Sequence, residues 1–142
     1  MNRVLRSLVG RRLTGARRLL YVPSEARSRD WITSVELTFT RSILTIAVNP
    51  DCDTLILREA PLSTDSDDEA IVNAKSRAPW RRWIGEQLRF SWLCINQQGY
   101  VDALQFGFES HRPSLALVAT ASAIYEYVVT PVRMSPNIRR AG

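Results

Sequence analysis

The side chains best suited to chemistry are Asp51, Asp53 and Asp102, the single imidazole of His111, and the thiols of Cys52 and Cys94. Asp51-Cys52-Asp53-Thr54 approaches the D-x-D-x-T pattern of phosphatase nucleophiles, but Leu55 stands where the threonine is required. The supporting lysine of that chemistry is also missing, since Lys75 is the only lysine of the chain. Turn capping accounts for these aspartates: Asn49-Pro50-Asp51 is a turn signal in which proline presets φ and Asx side chains bond the local backbone. A Cys94–His111–Asp102 set would need the base within hydrogen-bond reach of the thiol. Cys94 alternates with Phe90 and Trp92, so we expect it buried and inert, while His111 lies in the loop-like Ser110-His111-Arg112-Pro113. Two cysteines and one histidine are too few for a structural zinc site. We therefore assign no catalytic residue, no metal ligand and no cofactor; a disulfide between Cys52 and Cys94 is allowed but not implied.

Polar chemistry is concentrated in one place. The run LRFSWLCINQQGYVDALQFGF places Asn96-Gln97-Gln98-Gly99-Tyr100 between two apolar alternations, Leu88/Phe90/Trp92/Cys94 and Asp102/Leu104/Phe106/Phe108. Period-2 alternation broken by a Gly-containing polar cluster reads as a β-hairpin. Asn96, Gln97, Gln98, Tyr100 and Asp102 are the candidate binding surface. The same amides can instead satisfy backbone groups where the chain turns, with Gly99 supplying a positive φ.

The elements that must position these residues are mostly strands. Val35/Leu37/Phe39 alternate with Glu36 and Thr38, Leu44/Ile46/Val48 alternate again, and Thr54–Arg58 is a third short strand. The hairpin adds two, and Leu115–Thr120 and Ile124–Val129 two more. Acidic Asp67, Asp68 and Glu69 suit the N-terminus of a short helix over Ala70–Arg77. Pro79 suits the first position of a second helix, with Gly85 closing it. The expectation is an α+β fold, mainly antiparallel β, with about seven short strands and one or two short helices.

Trp80, Trp83 and Trp92 lie among Arg81, Arg82 and Arg89, an interleaving that can stack single-stranded nucleic acid. An amphipathic turn with Trp80, Trp83 and Ile84 inward explains the spacing without a ligand.

The charge is segregated. Residues 1–29 hold eight arginines and one acid, Glu25, whereas residues 30–142 hold eleven basic and thirteen acidic residues. A nucleic-acid-binding domain would carry its positive stripe on the folded surface, so no nucleic-acid partner is expected. Residues 1–29 read as a basic, flexible leader: an extension, a misplaced start, or an Arg-rich, acid-poor segment of the transit-peptide or membrane-surface kind. The expected layout is that leader, one globular β-rich domain over residues 30–130 and a frayed tail over 131–142. No stretch approaches the length of a membrane-spanning helix.

The positions Asp51, Asp53, Thr54, Trp83-Ile84-Gly85, Asn96 to Asp102 and Ser122-Ala123-Ile124-Tyr125 together resemble an uncharacterised family of small bacterial proteins. The resemblance covers roughly residues 31–130. It implies a bacterial origin and brings no assigned activity. The expected function is a small non-catalytic, cytoplasmic binding protein of the immunity or accessory type, whose partner is another protein. The alternative is a carboxylate-based enzyme using a divalent metal, if Asp51, Asp53 and Asp102 converge.

Overall fold

The computed structural model describes residues 2–22, 31–64, 66–109 and 111–129. The chain forms two antiparallel sheets facing each other across one apolar core. A six-residue helix, α1 (Arg3–Leu8), precedes nine strands: β1 (Leu13–Tyr21), β2 (Trp31–Phe39), β3 (Ser42–Asn49), β4 (Thr54–Arg58), β5 (Glu69–Asn73), β6 (Phe90–Ile95), β7 (Val101–Gly107), β8 (Leu115–Thr120) and β9 (Ala123–Val128). The first sheet has the order β4-β3-β2-β1-β5 and the second β6-β7-β8-β9. The fold is thus mostly β, with less helix and two more strands than expected.

The seven expected strands are all present, and the alternation that marked them explains the core. Val35, Leu37, Phe39, Leu44, Ile46 and Val48 turn inward from the first sheet. Leu104, Phe106, Leu115, Leu117 and Ile124 meet them from the second.

The two additional strands correct the sequence reading. Residues 2–22, expected to be an unpacked leader, supply the interior strand β1, hydrogen-bonded to β2 on one side and β5 on the other. Leu5, Leu8 and Leu13 are fully buried, and Asn2 caps α1 by accepting from the Val4 N–H. A core strand tolerates Arg17 and Arg18 because both are paired with acids far along the chain, Glu36 and Glu126. Residues 23–29 and 131–142 lie outside the described residues. Residues 69–73, expected to begin a helix, instead form β5: the unpaired edge of β1 offers Arg17 to Tyr21 as partners in register with Asn73 to Glu69. At Pro79 the expected helix is a single 3-10 turn, Trp80–Arg82, with Trp80 and Trp83 buried and Arg81 and Arg82 exposed, as amphipathic spacing requires.

Two ion pairs lie on opposite faces of β1. Arg18 points into the core, and its Nη2 donates to Glu126 Oε1 on β9 at 2.5 Å and to the Ala78 carbonyl at 2.9 Å. The indole N–H of Trp80 donates to Glu126 Oε2 at 2.5 Å. The side chains of Arg18 and Glu126 are only 10% and 6% exposed. Arg17 faces the other way and grips Glu36 with two hydrogen bonds, of 2.7 and 2.6 Å. Segment 59–62 crosses over that face: the Leu62 N–H donates to Glu36 Oε2, and Thr45 Oγ1 donates to the Ala60 carbonyl. Hydrogen bonding from Arg17, helped by the Leu62 N–H and by charge attraction, holds the Glu36 carboxyl below the usual carboxylate range despite its burial.

Glu126→Leu should cost about 3–5 kcal/mol in denaturant melts, because it strands a buried guanidinium. Adding Arg18→Met should recover most of that loss, leaving a deficit of roughly 1–3 kcal/mol for the unpaired Trp80 N–H. Glu36 gives a pH signature. Its lowered folded pKa means that its contribution is complete above the unfolded carboxylate value and is lost as pH falls through the folded one. Stability of the wild type should therefore drop more steeply in acid than that of Glu36→Gln, measured as melting temperature against pH.

Candidate binding face

The predicted hairpin is present, but its aromatic residues face the other way. Phe90 pairs with Gly107, Trp92 with Gln105 and Cys94 with Ala103, while Leu93 pairs with the buried Leu104. Ser91, opposite the buried Phe106, and Leu93 are therefore the inward residues, and Phe90, Trp92 and Cys94 lie on the outer face of the sheet. Leu88 remains in the core because the chain is irregular at Arg89: its N–H donates to Gly107, the residue already opposite Phe90, and this bulge reverses the facing. An alternation read across a bulge assigns the wrong face to everything beyond it.

Register then aligns two cross-strand rows on this outer face. One runs Trp92, Gln105, Ala116, Tyr127, and the other Cys94, Ala103, Val118, Tyr125. Neither row contains a charged residue. The aromatics occupy the two edge strands, and Gln105, Ala116, Ala103 and Val118 fill the middle. Phe90 and Trp92 stack with centroids 5.9 Å apart, as do Tyr125 and Tyr127 at 6.3 Å. Tyr125 and Tyr127 are 43% and 51% exposed. Trp92 lies against Gly107, where an added Cβ would come within 3.2 Å of its ring and 2.8 Å of the Arg112 carbonyl oxygen; the approach of that backbone oxygen requires glycine.

At one end of the face, the His111 ring packs on Phe90 at 4.8 Å. A cleft of about 380 Å³ opens there, lined by Gln87, Arg89, Glu109, His111, Val9 and Gly10. Glu109 already pairs with Arg82, whose guanidinium also covers the Trp83 ring at 4.8 Å. At the other end is the hairpin turn. Asn96 Oδ1 accepts from the N–H groups of Gln98 and Tyr100, Gly99 has φ +87°, and the Gly99 N–H closes onto the Asn96 carbonyl. The Asn96 carboxamide oxygen is thus committed to the turn. Gln97, Gln98 and Tyr100 are exposed, and Asp102 is the extra residue of a second bulge, between the Cys94–Ala103 and Ile95–Val101 pairs.

The proposed catalytic groupings are not assembled. His111 packs on Phe90, four residues from Cys94 along one strand and so roughly 13 Å away. Asp53 spends its carboxylate elsewhere: its oxygens accept from the N–H groups of Ala121 and Ser122, at 3.2 and 2.7 Å. Ala121 and Ser122 both have positive φ, as a two-residue β8–β9 turn of the primed type demands, and Asp53 clamps it. Among the described residues, no three His, Cys, Asp or Glu side chains gather as metal ligands. Cys52 and Cys94 are both free thiols, Cys94 half-buried on the outer face rather than in the core. No described helix is long and apolar enough to cross a membrane.

Sequence reasoning named Trp92 and Phe90 but gave them to the core, and it missed Tyr125 and Tyr127 as surface groups. The available signal was in β9, where Ile124 and Glu126 alternate with the two tyrosines. An acid at an inward position hides which face is buried. The turn itself separates structural from surface roles: Asn96→Ala should cost about 1 kcal/mol in chemical denaturation, whereas Gln97→Ala and Gln98→Ala should stay within about 0.5 kcal/mol of wild type.

No curated protein and no solved structure matches this chain. A family model does, over residues 1–133. The matched span includes α1 and β1, in keeping with their place in the core and against a domain that starts only at residue 30. The chain belongs to a family of unknown function, DUF6334.

Proposed function

We propose that this protein is a non-catalytic binding protein whose partner is another protein, engaged through the outer face of the four-stranded sheet and the adjoining hairpin tip. The observation that carries this reading is the pair of uncharged cross-strand rows with Trp92, Tyr125 and Tyr127 at their ends. Soluble domains rarely leave contiguous apolar patches open without a use for them. Tyr and Trp combine large apolar area with a polar handle and dominate protein interfaces, while charged residues are depleted at interface centres. Phosphate-bearing ligands find no cationic stripe here. Gln97, Gln98, Tyr100 and Asp102 supply polar groups at the rim of the same face. The two free thiols agree with a reducing compartment, supporting a cytoplasmic location.

A divalent-metal enzyme built on Asp51, Asp53 and Asp102 has less support, because Asp53 is already bonded to the β8–β9 turn. The deciding experiment captures partners with the full chain in extract of the native host and measures affinity for the protein recovered. Tyr125→Ala with Tyr127→Ala should weaken that binding by roughly 2 kcal/mol or more, about thirtyfold, at unchanged stability. Full affinity in this double variant would overturn the assignment of the face.

A further inference from the structure

Residues 2–22 hold six arginines and no acid. The expectation of no nucleic-acid partner rested on those arginines belonging to an unpacked leader, but α1 and β1 place them on the folded surface. The fold treats its arginines in two ways. Arg17 and Arg18 are neutralised by Glu36 and Glu126. Arg11 and Arg12 are held instead by uncharged carbonyls: Arg11 donates to those of Ser7 and Thr40, both at 2.8 Å, and Arg12 to that of Gly85 at 2.7 Å. Arg89 donates in the same way to the Phe108 carbonyl at 3.2 Å. Among the described residues these three form no ion pair, and neither do Arg3, Arg6 and Arg41. A carbonyl fixes the position of a guanidinium without cancelling its charge, and it leaves the remaining donors of the fork free.

These six arginines share one end of the sandwich. The chain between α1 and β1 bonds residues 86–88 through Gly10, Arg11 and Leu13, and bonds Thr40 through Arg12. On one side of it a cleft of about 710 Å³ is lined by Arg11 and Arg41, by the hydroxyl residues Ser7, Thr38 and Ser42, and by Glu59. On the other side lies the smaller cleft lined by Arg89 and His111. Arg41 stands in the β2–β3 turn at φ +63°, where glycine or asparagine sits at less cost. Glu59 and Glu86 are the acids that the segments bearing these arginines and lining the larger cleft set against them.

We propose that this end of the protein binds the phosphate backbone of a nucleic acid, without regard to sequence. Positive charge spread over α1, the α1–β1 segment, the β2–β3 turn and Arg89 suits a ligand with many spaced anions rather than a single oxyanion. Interfaces with nucleic acid are much more positively charged than those between proteins. A lipid surface fits less well, because α1 spends Leu5 and Leu8 on the core and keeps Arg3, Arg6 and Ser7 outward, with Val9 the exposed apolar residue beside them. The surface lies apart from the two cross-strand rows of the second sheet, so the inference goes beyond the protein-binding reading and does not depend on it.

Fluorescence anisotropy of a labelled oligonucleotide, single-stranded and as a duplex, tests this with the full chain near physiological ionic strength. Binding at micromolar protein is expected, weakening linearly on a log–log plot as salt rises. Arg41→Gly, which suits the turn, and Arg6→Gln should each weaken binding roughly three- to tenfold and lower the salt slope by about 1, at a wild-type melting temperature. Val22→Glu makes the same change of net charge at the far end of β1, roughly 30 Å and several Debye lengths away, and should leave affinity unchanged. The proposal fails if neither oligonucleotide form binds, or if both arginine variants bind like the wild type. It fails equally if Val22→Glu costs as much as Arg41→Gly, or if polyglutamate or phosphatidylserine vesicles bind as tightly at equal anion concentration.

Discussion

The contact of Glu126 with Arg18 and Trp80 is the constraint around which the two sheets are arranged. It joins an interior strand of the first sheet to an edge strand of the second, through the apolar core, and draws in the connecting segment at Ala78 and Trp80. Buried pairs of this kind often add little net stability over an apolar replacement. Their effect is on alternatives. A guanidinium in the core accepts few arrangements of its neighbours, so β9 must present Glu126 inward and Trp80 must approach from the side. Once Glu126 points in, Tyr125 and Tyr127 must point out. The surface proposed to bind a partner is therefore a consequence of a core ion pair.

The opposite face of β1 is handled differently. Arg17 and Glu36 sit on the outside of the first sheet, and segment 59–62 folds over them through Leu62 and Thr45. That cover buries Glu36. On the second sheet, residues 111 and 112 lie over one end of the outer face, His111 against Phe90 and the Arg112 carbonyl above Gly107. The exposed rings of Tyr125 and Tyr127 direct attention to the second sheet for an interaction with another protein.

Turns do the remaining work of alignment. Asp53, in the β3–β4 turn, holds the β8–β9 turn by two backbone N–H groups, tying the sheets together at one end. Asn96 organises the β6–β7 turn by itself through local bonds. Both residues had been singled out as candidates for chemistry or recognition. Short polar side chains beside turns compete well for backbone donors, and here that local role consumes the groups that a ligand would need.

What the sequence by itself determined is what depends on near neighbours. Seven strands, the turn at Asn96–Gly99 and the inward Trp80 and Trp83 follow from alternation, glycine and i, i+3 spacing, all local physics. Tertiary structure decided what depends on distant partners. Whether Arg17 and Arg18 belong to a solvated leader or to a core strand turns on Glu36 and Glu126, remote in sequence. Whether residues 69–73 coil or extend turns on the free edge of β1. Which way Phe90 and Trp92 face turns on one bulge, since a single extra residue reverses a period of two. Charge pairing, edge pairing and strand parity are all set across the fold, and no local pattern of residues records them.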